Sequence, residues 1–298
     1  MSLKLEQVTK RFGETLAVNH LNLEIQEKQI FGLLGANGAG KTTTIRMILG
    51  LLSPTSGNIS WNGQKITDQD SRLIGYLPEE RGLYTKLSVK EQMIYLGRLR
   101  GMKKEEVLEQ LDYWLERFFI TDYKGKNVED LSKGNQQKIQ FIAAVLHQPK
   151  ILFLDEPFSG LDPVNAELLK AAVNDLAKQG TTIVFSSHRM EHVEELCENI
   201  CILQKGAPVV LGNLSEIKRS FGKKNLVINI DQELELGSIS GVLKVKKTAQ
   251  GYVLQVKDEA VSQHILQNIV SKGFISRFSL EEPSLNDIFI EKVGAAYE

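Results

Sequence analysis

The octet GANGAGKT, residues 35–42, limits what this chain can fold into more than any other stretch. It fits the pattern G-x-x-x-x-G-K-[ST]. Before it runs QIFGLL (29–34), apolar enough for a buried strand. After it runs TTTIRMILGLL (42–52), where Ile45, Ile48, Leu49 and Leu52 recur at helical intervals. A strand that ends in a glycine loop and opens a helix is a phosphate cradle. Gly35, Gly38 and Gly40 let backbone N–H groups converge on phosphate oxygens. Lys41 supplies a point charge for the β- and γ-phosphates, and the Thr42 hydroxyl suits Mg²⁺. Asn37, Ala39 and Thr43 complete the loop as candidate nucleotide contacts. The bland alternative is a glycine-rich turn without a ligand.

A second apolar run, ILFLDEP (151–157), delivers Asp155 and Glu156 to the end of another strand. Asp155 is placed to hold Mg²⁺ through water. Glu156 is placed to orient and deprotonate a water that attacks a γ-phosphate. Without the glycine loop, two acids there could equally cap the next helix. Further strands are expected at 3–9, 21–25, 73–80, 181–188 and 199–206, alternating with helices at 166–180 and 189–198. That alternation implies a parallel sheet and an α/β fold. Residues 82–147 break it with three amphipathic helices, 88–101, 103–120 and 135–147, and read as a helical insertion. Beyond about residue 220 the chain reads as a separate α+β appendage. It has a hairpin turning near Gly251, a helix at 259–273, a strand at 274–282 and a last helix at 283–294. Ser284 and Asp287 have capping-box spacing there. The expected domains are 1–220 and 221–298.

Composition narrows the function classes. A net charge of −1 argues against a surface built to grip nucleic acid. No apolar run approaches the roughly 20 residues that span a bilayer, and the N-terminal stretch lacks the apolar core of a signal peptide. Cys197 and Cys201 are two lone thiols four residues apart, expected to be buried and to form no disulfide framework. On one helix they would face the same way.

LSKGNQQK, from Leu131, has the form of a capped helix start. Ser132 is an N-cap candidate and Gly134 permits close approach of the backbone. Such a start favours an anion, yet the stretch holds no acid, histidine or cysteine with which to act on one.

The order GANGAGKT, LSKGNQQK, ILFLDEP, SGLD, SSH resembles the ATP-binding-cassette (ABC) ATPases over residues 1 to about 215. The chain is most similar to ATPase subunits of bacterial exporters of the sodium-extrusion and antibiotic-efflux type, whose C-terminal extensions often end like PSLNDIFIE (283–291). The resemblance implies a P-loop NTPase core of ABC type, with a β-subdomain, the helical insertion and the small appendage. It implies ATP and Mg²⁺ as ligands. It also implies head-to-tail pairing with a second copy or a similar subunit, so that Ser132 and Gly134 meet the γ-phosphate held by the partner's P-loop. Lys133 and Asn135 depart from the usual Gly and Gln of that signature. Phe12 matches the aromatic that stacks on adenine, with a core aromatic as the alternative. Asp162 matches the residue that reaches across the dimer, with a helix-start Asp as the alternative. His188 matches the switch histidine at the γ-phosphate. Glu79 falls where the family places a Gln that contacts Mg²⁺ and senses the membrane partner. The implied assembly is a cytoplasmic ATPase held at the membrane by separate permease subunits, with no direct nucleic-acid contact. A soluble ABC ATPase acting on ribosomes or nucleic acid is the rival. Such proteins usually have two cassettes or a long coiled coil between P-loop and signature; here there is one cassette, and Lys41 and Ser132 are 91 residues apart. A regulatory module with dead catalysis is disfavoured by the presence of Lys41, Asp155, Glu156 and His188 together.

Overall fold

The structure, a computed structural model, describes residues 2–66, 70, 72–80 and 82–294. It opens with a long antiparallel hairpin, β1 (Ser2–Phe12) and β2 (Thr15–Gln26). The sequence suggests only two short strands here. Register shifts along the pair break the alternation of apolar and polar residues, which hides the outer half of the hairpin. β3 (Ile30–Leu34) is buried throughout, as a central parallel strand must be.

α1 (Lys41–Ile48) follows, and it ends earlier than its apolar spacing predicts. Leu49 caps it and Gly50 turns the chain with φ +72°. Leu49 and Leu52 still pack on the core, from the turn rather than the helix, so they mimic helical periodicity. β4 (Ser56–Trp61) and β5 (Gln64–Lys65) complete a sheet of order β2-β1-β4-β5.

β6 (Ile74–Leu77) leads into the helical insertion. α2 (Val89–Leu99) starts at a reciprocal Ser88–Glu91 cap. α3 (Lys104–Arg117) and α4 (Lys133–Val145) follow, with α4 beginning two residues before the expected 135. The insertion has its own aromatic core. Trp114, Phe118 and Phe141 meet pairwise at 5.7–5.8 Å between ring centroids. Aromatic pairs at such distances are worth about 0.5–1.5 kcal/mol each beyond their buried area.

β7 (Ile151–Asp155) returns the chain to the main sheet, followed by α5 (Pro163–Lys178), β8 (Thr182–Ser187), α6 (Met190–Leu196), β9 (Asn199–Gln204) and β10 (Ala207–Asn213). Strand order is β10-β9-β3-β8-β7-β6. β9, β3, β8, β7 and β6 run parallel, so their carboxyl ends share one edge. Phe31, Ile45, Phe153 and Val184 share a buried core with Leu3, Leu5 and Val8 of β1. Cys197 lies just past α6 and Cys201 within β9, so they do not share a helix. Both are buried, and burial pushes both thiols up, that of Cys201 to about 12.

By contacts the chain divides at Leu211/Gly212. The second unit holds α7 (Leu214–Ser220), β11 (Lys224–Ile230), β12 (Val242–Thr248), β13 (Gly251–Val256), α8 (Glu259–Ile269), β14 (Ile275–Glu281) and α9 (Leu285–Phe289). Its antiparallel sheet has the order β12-β13-β11-β14. Leu226, Ile228, Leu254 and Val256 of the sheet share a core with Ile265 and Ile269 of α8. Ser284 and Asp287 cap α9 reciprocally. α7, absent from the sequence reading, moves the start of this unit ahead of the expected residue 221.

Candidate nucleotide-binding site

Because β3, β6, β7 and β8 are parallel, the residues after each of them meet at one edge of the sheet, where open α/β sheets bind ligands. A cavity of about 350 Å³ lies there, and Asn37, Lys41, Thr42, Glu79, Asp155 and Glu156 line it together with Ala17, Gly38, Gly40 and Thr43. The two strands that carry the acids sit near the loop of the first only because the sheet order interleaves them. Gly40, at the N-cap of α1, has φ +103°, and a Cβ there would come 2.5 Å from the Ala17 carbonyl oxygen. No other residue fits that turn.

Lys41 is buried, and its Nζ donates to the carbonyls of Gly35 (2.8 Å) and Ala36 (3.2 Å). Burial lowers the pKa of this ammonium, opposed by the charges of Glu156, Asp155 and Glu79. Three carboxylates therefore face one lysine, a field that suits cations beside a polyphosphate. The Thr42 hydroxyl donates to Asp155 Oδ2 at 3.0 Å, and the Ser186 hydroxyl donates to Asp155 Oδ1. The latter contact follows from register, since Asp155 and Ser186 pair across β7 and β8. Asp155 is 1% exposed, fixed from both sides. Hydroxyl and carboxylate oxygens are the donors Mg²⁺ prefers, and Mg²⁺ usually takes only one or two carboxylates and keeps its waters. Among the described residues there is no cluster of three His, Cys, Asp or Glu side chains for a softer or fully caged ion. The donor set fits Mg²⁺.

Glu156 stands in the left-handed region, φ +50°, unusual for a residue with a side chain. The strain is held in place by its contacts. Its Oε1 accepts from the His188 backbone N–H at 2.8 Å and lies 2.8 Å from His188 Nδ1, while Oε2 accepts from the Ser187 hydroxyl at 3.3 Å. The carboxylate is 6% exposed as a residue, yet it lines the cavity. A carboxylate oriented by three donors at a phosphate cradle is suited to take a proton from water.

The other expected residues lie outside this cavity's lining. Phe12 ends β1 with 49% exposure, and Lys10 Nζ sits 5.1 Å from its ring centroid. It is therefore not a core aromatic. Asp162 caps α5, accepting from the Asn165 N–H at 3.0 Å, and that hydrogen bond holds its carboxyl below the usual carboxylate range. Ser132 caps α4, accepting from the Asn135 N–H at 3.3 Å. Gly134 sits in the first turn of α4 without a left-handed φ, and the nearest atoms to a Cβ there, on Leu161 and Asn165, are 3.7 Å away. Nothing in its own chain requires a glycine at 134.

Sequence reasoning missed Ser186, Ser187, Ala17 and two glutamines of α4. The serines were visible in SSH, but their service to Asp155 and Glu156 depends on β8 lying beside β7. Gln137 Nε2 donates to the Pro157 carbonyl at 2.9 Å, next to Glu156. Gln140 Nε2 donates to the carbonyls of Pro78 (3.2 Å) and Glu80 (2.9 Å).

Two family models match the chain: ABC transporter over residues 18–159, and ATP-binding protein DrrA1-3-like, C-terminal domain, over 212–293. The uncharacterized ABC transporter ATP-binding protein YhaQ of Bacillus subtilis (strain 168) is 64% identical over 297 residues, 99% of this chain and 100% of that one. This chain belongs to the ABC transporter ATP-binding proteins. As an ABC transporter ATP-binding protein it is an ATPase, and it resembles known proteins well beyond the motifs. The Nod factor export ATP-binding protein I of Cupriavidus metallidurans is 32% identical, with 98% of this chain and 97% of that one aligned. A solved structure, the ATP binding subunit of an ABC transporter, superposes with TM-score 0.70 at 30% identity over 74% of this chain and 94% of that one. An ABC fold for the first unit and an appendage after it agree with the expected fold class. Among the described residues, no helix is long and apolar enough to cross a membrane.

Proposed function

We propose that this ABC ATPase powers an exporter whose membrane-spanning subunits are separate chains, and that it works as a head-to-tail dimer with ATP between the two copies. The observation that carries the dimer is Gly134. Ser132 caps the Asn135 N–H there, but position 134 lacks a side chain that its own fold has room for, while the cradle at Lys41 has no side chain of α4 among its lining residues. One chain's signature helix completing the other's cradle accounts for both. Export rests on the relative named for Nod factor export and on the DrrA-like appendage. The ATPase would sit at the cytoplasmic face of the membrane, held there by the permease subunits, with no nucleic acid involved.

In this reading the P-loop amides, Lys41 and Thr43 hold the phosphates, and Lys41 exchanges the carbonyls of Gly35 and Ala36 for phosphate oxygens. Phe12 offers its exposed ring face to adenine. Thr42, Asp155 and Glu79 hold Mg²⁺, which supplies charge neutralisation when bound. Glu156 takes a proton from the attacking water as the water oxygen bonds to the γ-phosphorus and the bond to the β-phosphate oxygen breaks. His188, whose Nδ1 lies 2.8 Å from Glu156 Oε1, would orient that carboxylate and contact the γ-phosphate. Asp162, across the dimer, links the two sites.

Light scattering tests this. A Glu156→Gln protein, expected to bind ATP and turn it over far more slowly, should have twice the monomer mass in MgATP and the monomer mass in ADP. Adding Ser132→Arg should abolish the difference by crowding the helix start. Equal masses in ATP and ADP for both proteins would refute a site built from two copies.

A further inference from the structure

Gln140 is an anomaly on a buried face. Its neighbours in α4, Ile139, Phe141 and Ile142, are apolar and fully buried, and Gln140 itself is 4% exposed. Its Oε1 is buried without a hydrogen-bond partner among the described residues. Buried side-chain oxygens are seldom left so, and an apolar residue would avoid the cost. What the glutamine provides is its amide N–H₂, which donates to Pro78 O and Glu80 O at 3.2 and 2.9 Å. Those carbonyls flank Glu79, whose side chain lines the nucleotide cavity. One planar amide bonded to residues on both sides of Glu79 restrains the peptide units between them. One turn earlier on the same helix, Gln137 holds the Pro157 carbonyl beside Glu156 at 2.9 Å. The helix that begins at Ser132 and Gly134 is thus attached by successive turns to both acidic loops of its own cavity.

We infer that Gln140 is a positioning residue that ties the Glu79 loop to the signature helix, so that the Glu79 carboxylate and the helix start shift as one body. The inference rests on the proposed reading of Glu79 as a nucleotide-site residue. Without the tie, the loop populates positions in which Glu79 no longer faces the cradle, and apparent affinity falls by the fraction lost. With two hydrogen bonds removed, that fraction corresponds to about a tenfold loss.

The test uses the full chain and Gln140→Met, which keeps length and apolar contacts and removes both donated bonds. Gln140→Glu, which turns the donor into an acceptor facing two carbonyls, is a second route to the same loss. In the nucleotide-free protein, amide hydrogen exchange in residues 76–84 should quicken about tenfold in either variant, with residues 41–48 unchanged. The KM for ATP should rise about tenfold, with a smaller change in kcat. In a Glu79→Ala background, Gln140→Met should raise KM less than twofold, because the carboxylate it positions is gone. Unchanged exchange in residues 76–84 overturns the tie. So does a full KM rise in the Glu79→Ala background. If Glu79→Ala alone keeps the parent KM and Mg²⁺ dependence, the assignment of Glu79 to the site fails instead, and the exchange result decides the tie.

Discussion

Placing a side chain on Gly134 separates what the free chain needs from what its dimer needs. In its own chain the position is ordinary helix, and the nearest atoms to an added Cβ lie at 3.7 Å, within normal van der Waals contact. Gly→Ala inside a helix is favourable by about 0.5–1 kcal/mol, and in the first turn the lower figure applies. For a unit of this size that raises Tm by about 1–2 °C. Gly134→Asp should also fold well, since an acid in the first turn of α4, which has none, gains about 0.3–1 kcal/mol from the helix dipole. Both changes should nevertheless damage ATP-dependent pairing. In the proposed dimer the alanine methyl would take space that the partner's phosphate needs, and the aspartate would set a negative charge against the triphosphate. Expected is at least a tenfold weaker dimer for Ala and no measurable dimer for Asp, read by light scattering in the Glu156→Gln background with MgATP. Calorimetry of the nucleotide-free proteins supplies Tm. A Gly134→Asp protein that pairs as tightly as its parent would refute the argument that the missing side chain serves a second copy. A fall in Tm of several degrees for Gly134→Ala would show that the packing around α4 is misread.

Glu156→Gln should bind MgATP and lower turnover about 10²–10⁴-fold, the usual cost of removing a general base; phosphate release within threefold of the parent would exclude that role. His147 gives a pH signature. Its Nε2 lies 3.0 Å from the Ile74 carbonyl, and burial pulls the imidazole down from 6.5 to about 4. The folded state therefore stays neutral while the unfolded chain takes up a proton. The associated stability is complete above pH 6.5 and is lost as pH falls toward 4, by about 3 kcal/mol in all. Thermal melts from pH 7 to 4 should fall less steeply for His147→Gln than for the parent, and parallel curves would show that His147 does not contribute.

The sequence is legible where one short segment carries a whole function. GANGAGKT sets its loop, helix start and lysine within eight residues, and ILFLDEP ends a buried strand on its two acids, so both could be read without knowing the sheet. Capping at Ser132 and Ser284 was readable for the same reason: cap and partner lie three residues apart. Legibility falls where a property belongs to a pairing. The register shifts along β1 and β2 exist only between the strands, and β10 leaves Val209 and Leu211 exposed and has no fully buried residue, so it lacks a clean alternation. Ser186 serves Asp155 because β8 neighbours β7, a fact of strand order rather than spacing. Gln140 and Glu79 lie 61 positions apart, and a glutamine in NQQKIQFIAAVLH looks like a polar residue on an amphipathic helix. Only burial shows that it faces inward. The candidate catalytic groups thus lie in short local motifs, while the groups that hold them in register are distant. A site assembled across strands depends on both sets: the candidate residues for chemistry, and the buried amides and hydroxyls that determine whether those residues meet.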